Sequence, residues 1–229
     1  MPGYYLGIDQ GTTLTTAVLV DENWHTVAKA SKSHKQYYPN PGWVEHDPVE
    51  IYENCLAVAA EVLQQVPGAT AQTLLAVGLD HQGETCMIWD KETGIPIYNA
   101  IVWQDRRTSD AADRLRKTKG GEIREISGLM PDAYFSATKL NWILDHVEGA
   151  RTRAEKGELL IGTLNTWLFW KMSGGECYRT DPSSAACMML MDLRKTEWSS
   201  SLLDLIGIPE TFMPEICDTN TIYGHTKPE

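Results

Sequence analysis

Tyr4-Tyr5-Leu6-Gly7-Ile8-Asp9-Gln10-Gly11-Thr12-Thr13-Leu14-Thr15-Thr16-Ala17-Val18-Leu19-Val20 holds two short apolar runs, Tyr4 to Ile8 and Thr15 to Val20, joined by a polar turn that contains a glycine. Asp21-Glu22-Asn23 turns the second run into a third, around Thr26 to Ala30, so the chain opens as a β-meander. Both early runs are apolar on successive residues, the pattern expected of strands buried on two faces. In the turn, Gly11 lets the backbone come close to a ligand, and the amides that follow, with the hydroxyls of Thr12 and Thr13, can donate to phosphate oxygens. A carboxylate beside phosphates repels them unless a divalent cation lies between, which suggests a Mg²⁺ role for Asp9, direct or through water. A tight hairpin whose Asp and Thr satisfy turn amides accounts for the same residues, and the turn alone leaves both readings open. It is not a Walker loop, because it has no lysine and no helix follows.

Outward from the meander, Tyr38-Pro39-Asn40-Pro41-Gly42-Trp43 is a loop of turn formers. Asp47-Pro48 then reads as a helix start, with Asp as N-cap and Pro at the first helical position. Tyr52, Cys55, Leu56, Ala59, Val62, Leu63 and Val66 keep helical period until Pro67-Gly68 ends it. Leu74 to Leu79 is a further buried strand, and Thr85 to Trp89 is expected to return from it. A polar helix near Arg106 to Lys117, an amphipathic one near Thr138 to Val147, a strand at Leu159 to Gly162 and a helix from Thr163 to Met172 complete the alternation. The pattern by itself predicts an α/β fold with a mixed sheet.

Three later segments carry polar groups suited to a ligand. Asp80-His81-Gln82-Gly83-Glu84 lies where a strand ends, a frequent place for ligand contacts in α/β sheets, and Glu84 can accept hydrogen bonds from hydroxyls. Taken alone, the segment reads first as a polar turn between strands. Trp103-Gln104-Asp105-Arg106-Arg107 offers an indole able to pack on the carbon face of a polyol; the alternative is a core tryptophan, with Asp105 capping the next helix. Tyr134 and Phe135 form an aromatic pair before a helix, where a phenol can offer its hydroxyl while its ring closes a pocket, although plain packing also explains them.

The 229 residues suit one large domain or two small ones, and the composition, 42% hydrophobic and 22% charged, is ordinary for a globular protein. A net charge of −11 supplies no basic stripe and argues against a nucleic-acid partner. It does not exclude ATP, since a metal ion and backbone donors can hold phosphates inside an acidic protein. No basic region followed by an apolar run opens the chain, and no stretch approaches a membrane span, so neither a signal peptide nor a membrane partner is expected. Five cysteines without a CxxC pair favour free thiols and a cytoplasmic location, and the six scattered histidines give no zinc pattern. The run Met188 to Met191 reads as core.

Taken in order, Asp9-Gln-Gly-Thr-Thr13, Pro41-Gly-Trp-Val-Glu-His-Asp-Pro48, Gly94 to Gln104, Tyr134-Phe-Ser-Ala-Thr-Lys139, Trp142 to Gly149 and Gly162-Thr-Leu-Asn-Thr-Trp-Leu168 resemble the FGGY family of carbohydrate kinases, and within it the glycerol kinases. Tyr223-Gly224 falls where that family approaches its interdomain crossover. The resemblance implies a ribonuclease-H-like (actin-like ATPase) fold, a mixed β-sheet flanked by helices, with residues 1–229 forming the single N-terminal, polyol-binding lobe of a two-lobe kinase. It further implies ATP and Mg²⁺ as cofactors, a small polyol or sugar as substrate, and a possible homo-oligomer in the complete enzyme. By it, Asp9 lies near the metal, Gly11, Thr12 and Thr13 face the phosphates, and Gly83, Glu84, Trp103 and Tyr134 line the polyol pocket. The sequence departs from the family twice. Glycerol kinases carry an arginine before the pocket glutamate, where this chain has Gly83. The general base of the family, an aspartate in a Gly-Asp-Gln segment, has no counterpart, and neither does the adenosine site, so no catalytic residue is expected within the chain and the isolated lobe is expected to be inactive. A non-catalytic polyol-binding module and an actin-like interaction protein are the rival readings.

Overall fold

The computed structural model describes residues 3–227; Met1, Pro2, Pro228 and Glu229, on which the readings of the two chain ends partly rest, lie outside the described residues. The chain divides into two compact units, Met1–Gln36 with His46–Gln82, and Tyr37–Glu45 with Gly83–Glu229.

In the first unit β1 (Tyr4–Gln10), β2 (Leu14–Asp21) and β3 (Thr26–Ser33) form the expected meander, and β5 (Leu74–His81) joins β1 in parallel. The order β3-β2-β1-β5 is therefore a mixed sheet. Helix α1 (Pro48–Gln65) packs on one side of it. Asp47 caps this helix, its carboxylate accepting the Val49 amide at 2.8 Å. Ile51, Cys55, Val58 and Val62 of α1 bury against the face that carries Leu6, Ile8, Ala17 and Leu19.

The opposite face is bare. β1 alternates between buried and exposed residues, with Gly7 and Asp9 open, and most of β5 is exposed, Leu75 at 55% and Val77 at 38%. The expectation of strands buried on both faces is thus corrected for β1 and for most of β5, whereas residues 15–20 of β2 are buried or half-buried throughout; among the described residues α1 is the helix that covers the sheet, on one side.

In the second unit the strand after Glu84 does not return along β5. β6 (Cys86–Asp90) pairs instead with β8 (Leu159–Thr163) and with β7 (Ala100–Ile101), both antiparallel. The resulting sheet, entered through Glu45 of β4 (Glu45–His46), has the order β4-β7-β6-β8. Around it lie α2 (Ser109–Ser127), α3 (Ser136–His146), α4 (Ala150–Glu155) and α5 (Leu164–Met172). β9 (Arg179–Thr180), α6 (Pro182–Cys187), β10 (Met191–Asp192), β11 (Glu197–Trp198), α7 (Ser200–Ile206) and β12 (Glu215–Ile216) follow. The core gathers Ile88, Ile101, Leu140, Ile143, Ile161 and Leu203, and Met188 to Met191 are buried as expected.

Asp105 does not cap α2. That helix starts four residues later, and its N-cap Thr108 makes no side-chain cap bond. Asp105 is fully buried and accepts the Val44 amide at 2.6 Å and the Arg107 guanidinium at 2.8 and 3.0 Å. Arg107, itself shielded from solvent, also pairs with Glu45 at 2.7 Å and lies over the Trp43 ring at 3.8 Å. A buried carboxylate needs a paired cation; Asp105 is the anchor of an ion-pair cluster.

Candidate functional site

The phosphate-facing candidates sit in the first unit. β1 ends at Gln10, and the Gly11 amide closes the turn on the Leu14 carbonyl at 2.9 Å. Thr13 is exposed, and Gly11 and Thr12 are half-buried. Asp9 points to the bare face of the sheet, in register with Thr16 on one side and Asp80 on the other. An open hollow of about 370 Å³ lies over this face, lined in part by Gly7, Asp9, Thr16, Val18, Gly78 and Asp80. Two neighbouring carboxylates are the donors Mg²⁺ takes when water and substrate phosphates complete its shell. Among the described residues no cluster of three or more His, Cys, Asp or Glu could hold a metal alone. Asp80 was not singled out from sequence; its place beside Asp9 depends on the parallel pairing of β1 and β5.

The polyol-facing candidates sit in the second unit. Glu84 is 7% exposed and takes a left-handed backbone conformation, φ 55°. For a residue with a side chain this costs roughly 1–3 kcal/mol and persists only where the surroundings enforce it. The Ser136 hydroxyl donates to the Glu84 carbonyl at 2.9 Å. Two acidic hydrogens face the Glu84 carboxylate, the Tyr134 phenol and the Cys187 thiol. Burial, and then Glu84, pushes the Tyr134 phenol above its ordinary value, and burial with the same neighbour pushes the Cys187 thiol up to about 12. The rings of Trp103 and Tyr134 meet edge to face, centroids 5.8 Å apart, and Phe135 meets Tyr134 at 5.3 Å. Both Trp103 and Tyr134 are half-buried, so neither is a plain core residue. Gly83 is also half-buried, and a Cβ added there would meet nothing within 4 Å.

Lys139 and Cys187 escaped the sequence reading. Lys139 is fully buried, and its ammonium donates to the Tyr134 carbonyl at 2.5 Å. Burial lowers its pKa to about 8, against the pull of Cys86, Asp105 and Glu84, which raise it. With Asp132, whose carboxylate accepts the Tyr134 amide at 2.8 Å, Lys139 fixes the loop that presents the phenol. One signal was available, a lysine in the apolar stripe of a helix beside Leu140. For Cys187 there was none, since 103 positions separate it from Glu84. Tyr134 thus meets Trp103 through its ring and Glu84 through its phenol, and Cys187 faces the same carboxylate, so the structure brings these sequence candidates together around one buried carboxylate.

Known proteins resemble this chain throughout. The model of the N-terminal domain of the FGGY family of carbohydrate kinases matches residues 4–229. Glycerol kinase 2 of Thermotoga maritima is 46% identical over 224 residues, which are 97% of this chain and 45% of that protein. Glycerol kinase of Geobacillus kaustophilus is 48% identical over 230 residues, 100% of this chain and 46% of its own length. Among solved structures, Plasmodium falciparum glycerol kinase with ADP superposes with a TM-score of 0.90 at 30% identity, covering 100% of this chain and 46% of that one. Gluconate kinase from Lactobacillus acidophilus, at 21% identity, shares the fold with a TM-score of 0.89 over 99% of this chain and 44% of its own. The chain spans about half the length of the curated relatives it matches.

Proposed function

This chain belongs to the FGGY family of carbohydrate kinases, and from that premise we propose that it is the substrate-binding lobe of an ATP-dependent polyol or sugar kinase. The observation that carries the reading is Glu84, a buried carboxylate held in a left-handed conformation beside Tyr134, Trp103 and Cys187. In this reading Glu84 accepts hydrogen bonds from substrate hydroxyls, the Tyr134 phenol adds one more, and the Trp103 ring packs on the carbon chain. Asp9, with Asp80 beside it, would hold Mg²⁺ through water, and the ion would neutralise phosphate charge. Phosphoryl transfer then depends on positioning and charge more than on covalent steps by the protein.

The free space at Gly83 bears on the substrate. An arginine there would present a planar fork to hydroxyls; its absence removes those donors and opens room. We infer a substrate other than glycerol, a related or somewhat larger polyol or sugar. Calorimetry of this chain against a panel of three- to five-carbon polyols tests both claims. Saturable binding that is lost in Glu84→Ala supports the pocket. Glycerol as the tightest ligand would sink the specificity claim. The lobe alone is expected to release no ATP-dependent product, and turnover by it would contradict the assignment of the missing machinery to a second lobe.

A further inference from the structure

Behind the Gly11–Thr13 turn lies a buried polar network, all of it in the first unit, that the proposed chemistry does not use. The Gly11 carbonyl accepts from Gln10 Nε2 at 2.8 Å and from Gln82 Nε2 at 3.3 Å. The Thr12 carbonyl accepts from Gln36 Nε2 at 2.8 Å, and the Thr13 carbonyl from the His34 amide at 3.4 Å. Gln82 Nε2 reaches Gln10 Oε1 at 3.0 Å, and His46 joins the glutamines, its Nε2 2.7 Å from Gln36 Oε1 and its Nδ1 3.2 Å from Gln82 Nε2. Gln10 and His46 are fully buried and Gln82 nearly so.

Burying two amides and an imidazole, beside the half-buried Gln36, is costly unless they are hydrogen-bonded, and the direction of these bonds says what they hold. In a planar trans peptide the N–H points away from the C=O it shares the plane with. Fixing the Gly11 and Thr12 carbonyls inward therefore turns the Thr12 and Thr13 amides to the other side. We propose that Gln36, His46 and Gln82 are positioning residues that lock the turn with its amides presented to the phosphates of a nucleotide. The phosphate end of this claim rests on the kinase reading above.

The network also has a fixed polarity. Gln36 must direct its NH₂ at the Thr12 carbonyl, so its Oε1 faces His46 and requires a proton on Nε2. His46 Nδ1 is then the bare nitrogen that accepts from Gln82 Nε2. An imidazolium would set N–H against NH₂ and open the circuit.

Hydrogen exchange of the Gly11 amide, measured by NMR on this chain, tests the brace. Gln36→Met removes both polar atoms of the side-chain amide, and Gln36→Glu keeps the size and the bond to His46 while removing the donor to Thr12. In both variants Gly11 is expected to exchange about tenfold faster, with amides in the middle of β1 and β2 unchanged. A Gly11 rate equal to that of the parent chain, or one that rises in step with those strand amides, would overturn the proposal, because the residues would then be filler or general scaffold. In the native gene product the same variants are expected to raise KM for MgATP about tenfold at unchanged KM for the polyol. Faster exchange with an unmoved KM in an active enzyme would refute the phosphate-positioning claim. Faster exchange in a gene product that phosphorylates nothing would instead sink the kinase reading and leave the brace standing.

Discussion

The neutral state that the buried network demands of His46 can be measured through acid stability. Burial, and then the neighbouring His34 ring 4.6 Å away, lower the His46 pKa from the ordinary 6.5 to about 3. The unfolded chain takes up a proton near pH 6.5 and the folded one refuses it. The contribution of His46 is therefore fully present above about pH 6.5 and is lost as pH falls toward 3, at about 1.4 kcal/mol per pH unit. By about pH 5 the loss reaches roughly 2 kcal/mol. The groups packed around the ring are the neutral Gln36 and Gln82 and the imidazole of His34, whose own pKa is lowered by burial and raised again by Glu50. Carboxylates elsewhere titrate in the same range, so the comparison must be with His46→Asn, in which their contributions cancel. At about pH 7.5 the variant is expected to be less stable by roughly 1–3 kcal/mol, the cost of a buried group left unpaired. Urea unfolding of both proteins, followed by far-UV circular dichroism in steps from about pH 7.5 to 4.5, should show the two stability curves converging and then crossing. Curves that stay parallel within about 0.3 kcal/mol would refute the reasoning: His46 would then take its proton in the folded chain, and the neutral-imidazole circuit would not exist.

Arg107→Met should destabilise the chain by about 3–5 kcal/mol in denaturant unfolding, because it strands the buried Asp105 and Glu45 carboxylates; Arg107→Lys should recover little, since it lacks the fork and the stacking on Trp43. A loss under about 1 kcal/mol would show that water reaches the cluster. Lys139 has the opposite pH signature to a salt-bridged lysine: its folded pKa of about 8 lies below the unfolded value, so stability relative to Lys139→Met should rise between about pH 8 and 10. A flat difference over that range would mean that the ammonium is solvated. Glu84→Gln should lower the titration midpoint of Tyr134, read by phenolate absorbance against Tyr134→Phe, because it removes a charge that raises it. No change would place the two side chains out of reach of each other.

Local features were legible in the sequence wherever a single segment determines its own geometry. Asp47-Pro48 marks a helix start because cap and proline act within one turn. The Asp9–Thr13 turn is forced by the two runs it joins. Burial was harder to read. An apolar run states that a strand can be covered on both faces, whereas Leu75 and Val77 stand exposed because covering is decided by whatever packs there. Pairing failed in a similar way at β6. Thr85 to Trp89 reads as a strand returning from β5, but β6 pairs with β7 and with β8, the latter some seventy residues on in sequence.

The same division separates the residues proposed to touch a ligand from those that hold them. Glu84, Trp103 and Tyr134 could be picked out because strand ends and loop aromatics are natural places for contacts. Asp105 reads as a cap because an aspartate ahead of a helix has one obvious local partner; its actual partners are the Arg107 guanidinium, two positions on, and the Val44 amide, 61 positions away. Gln36 and His46 give still less sign, since each acts through a bond to a backbone carbonyl or to another side chain far along the chain. Sequence motifs therefore mark residue types suited to a ligand, and do not state which buried bonds hold them in place. Because phosphoryl transfer leaves the protein little covalent work and asks it mainly to position groups, buried bonds of the second kind would matter to such a site as much as the groups that meet its ligand.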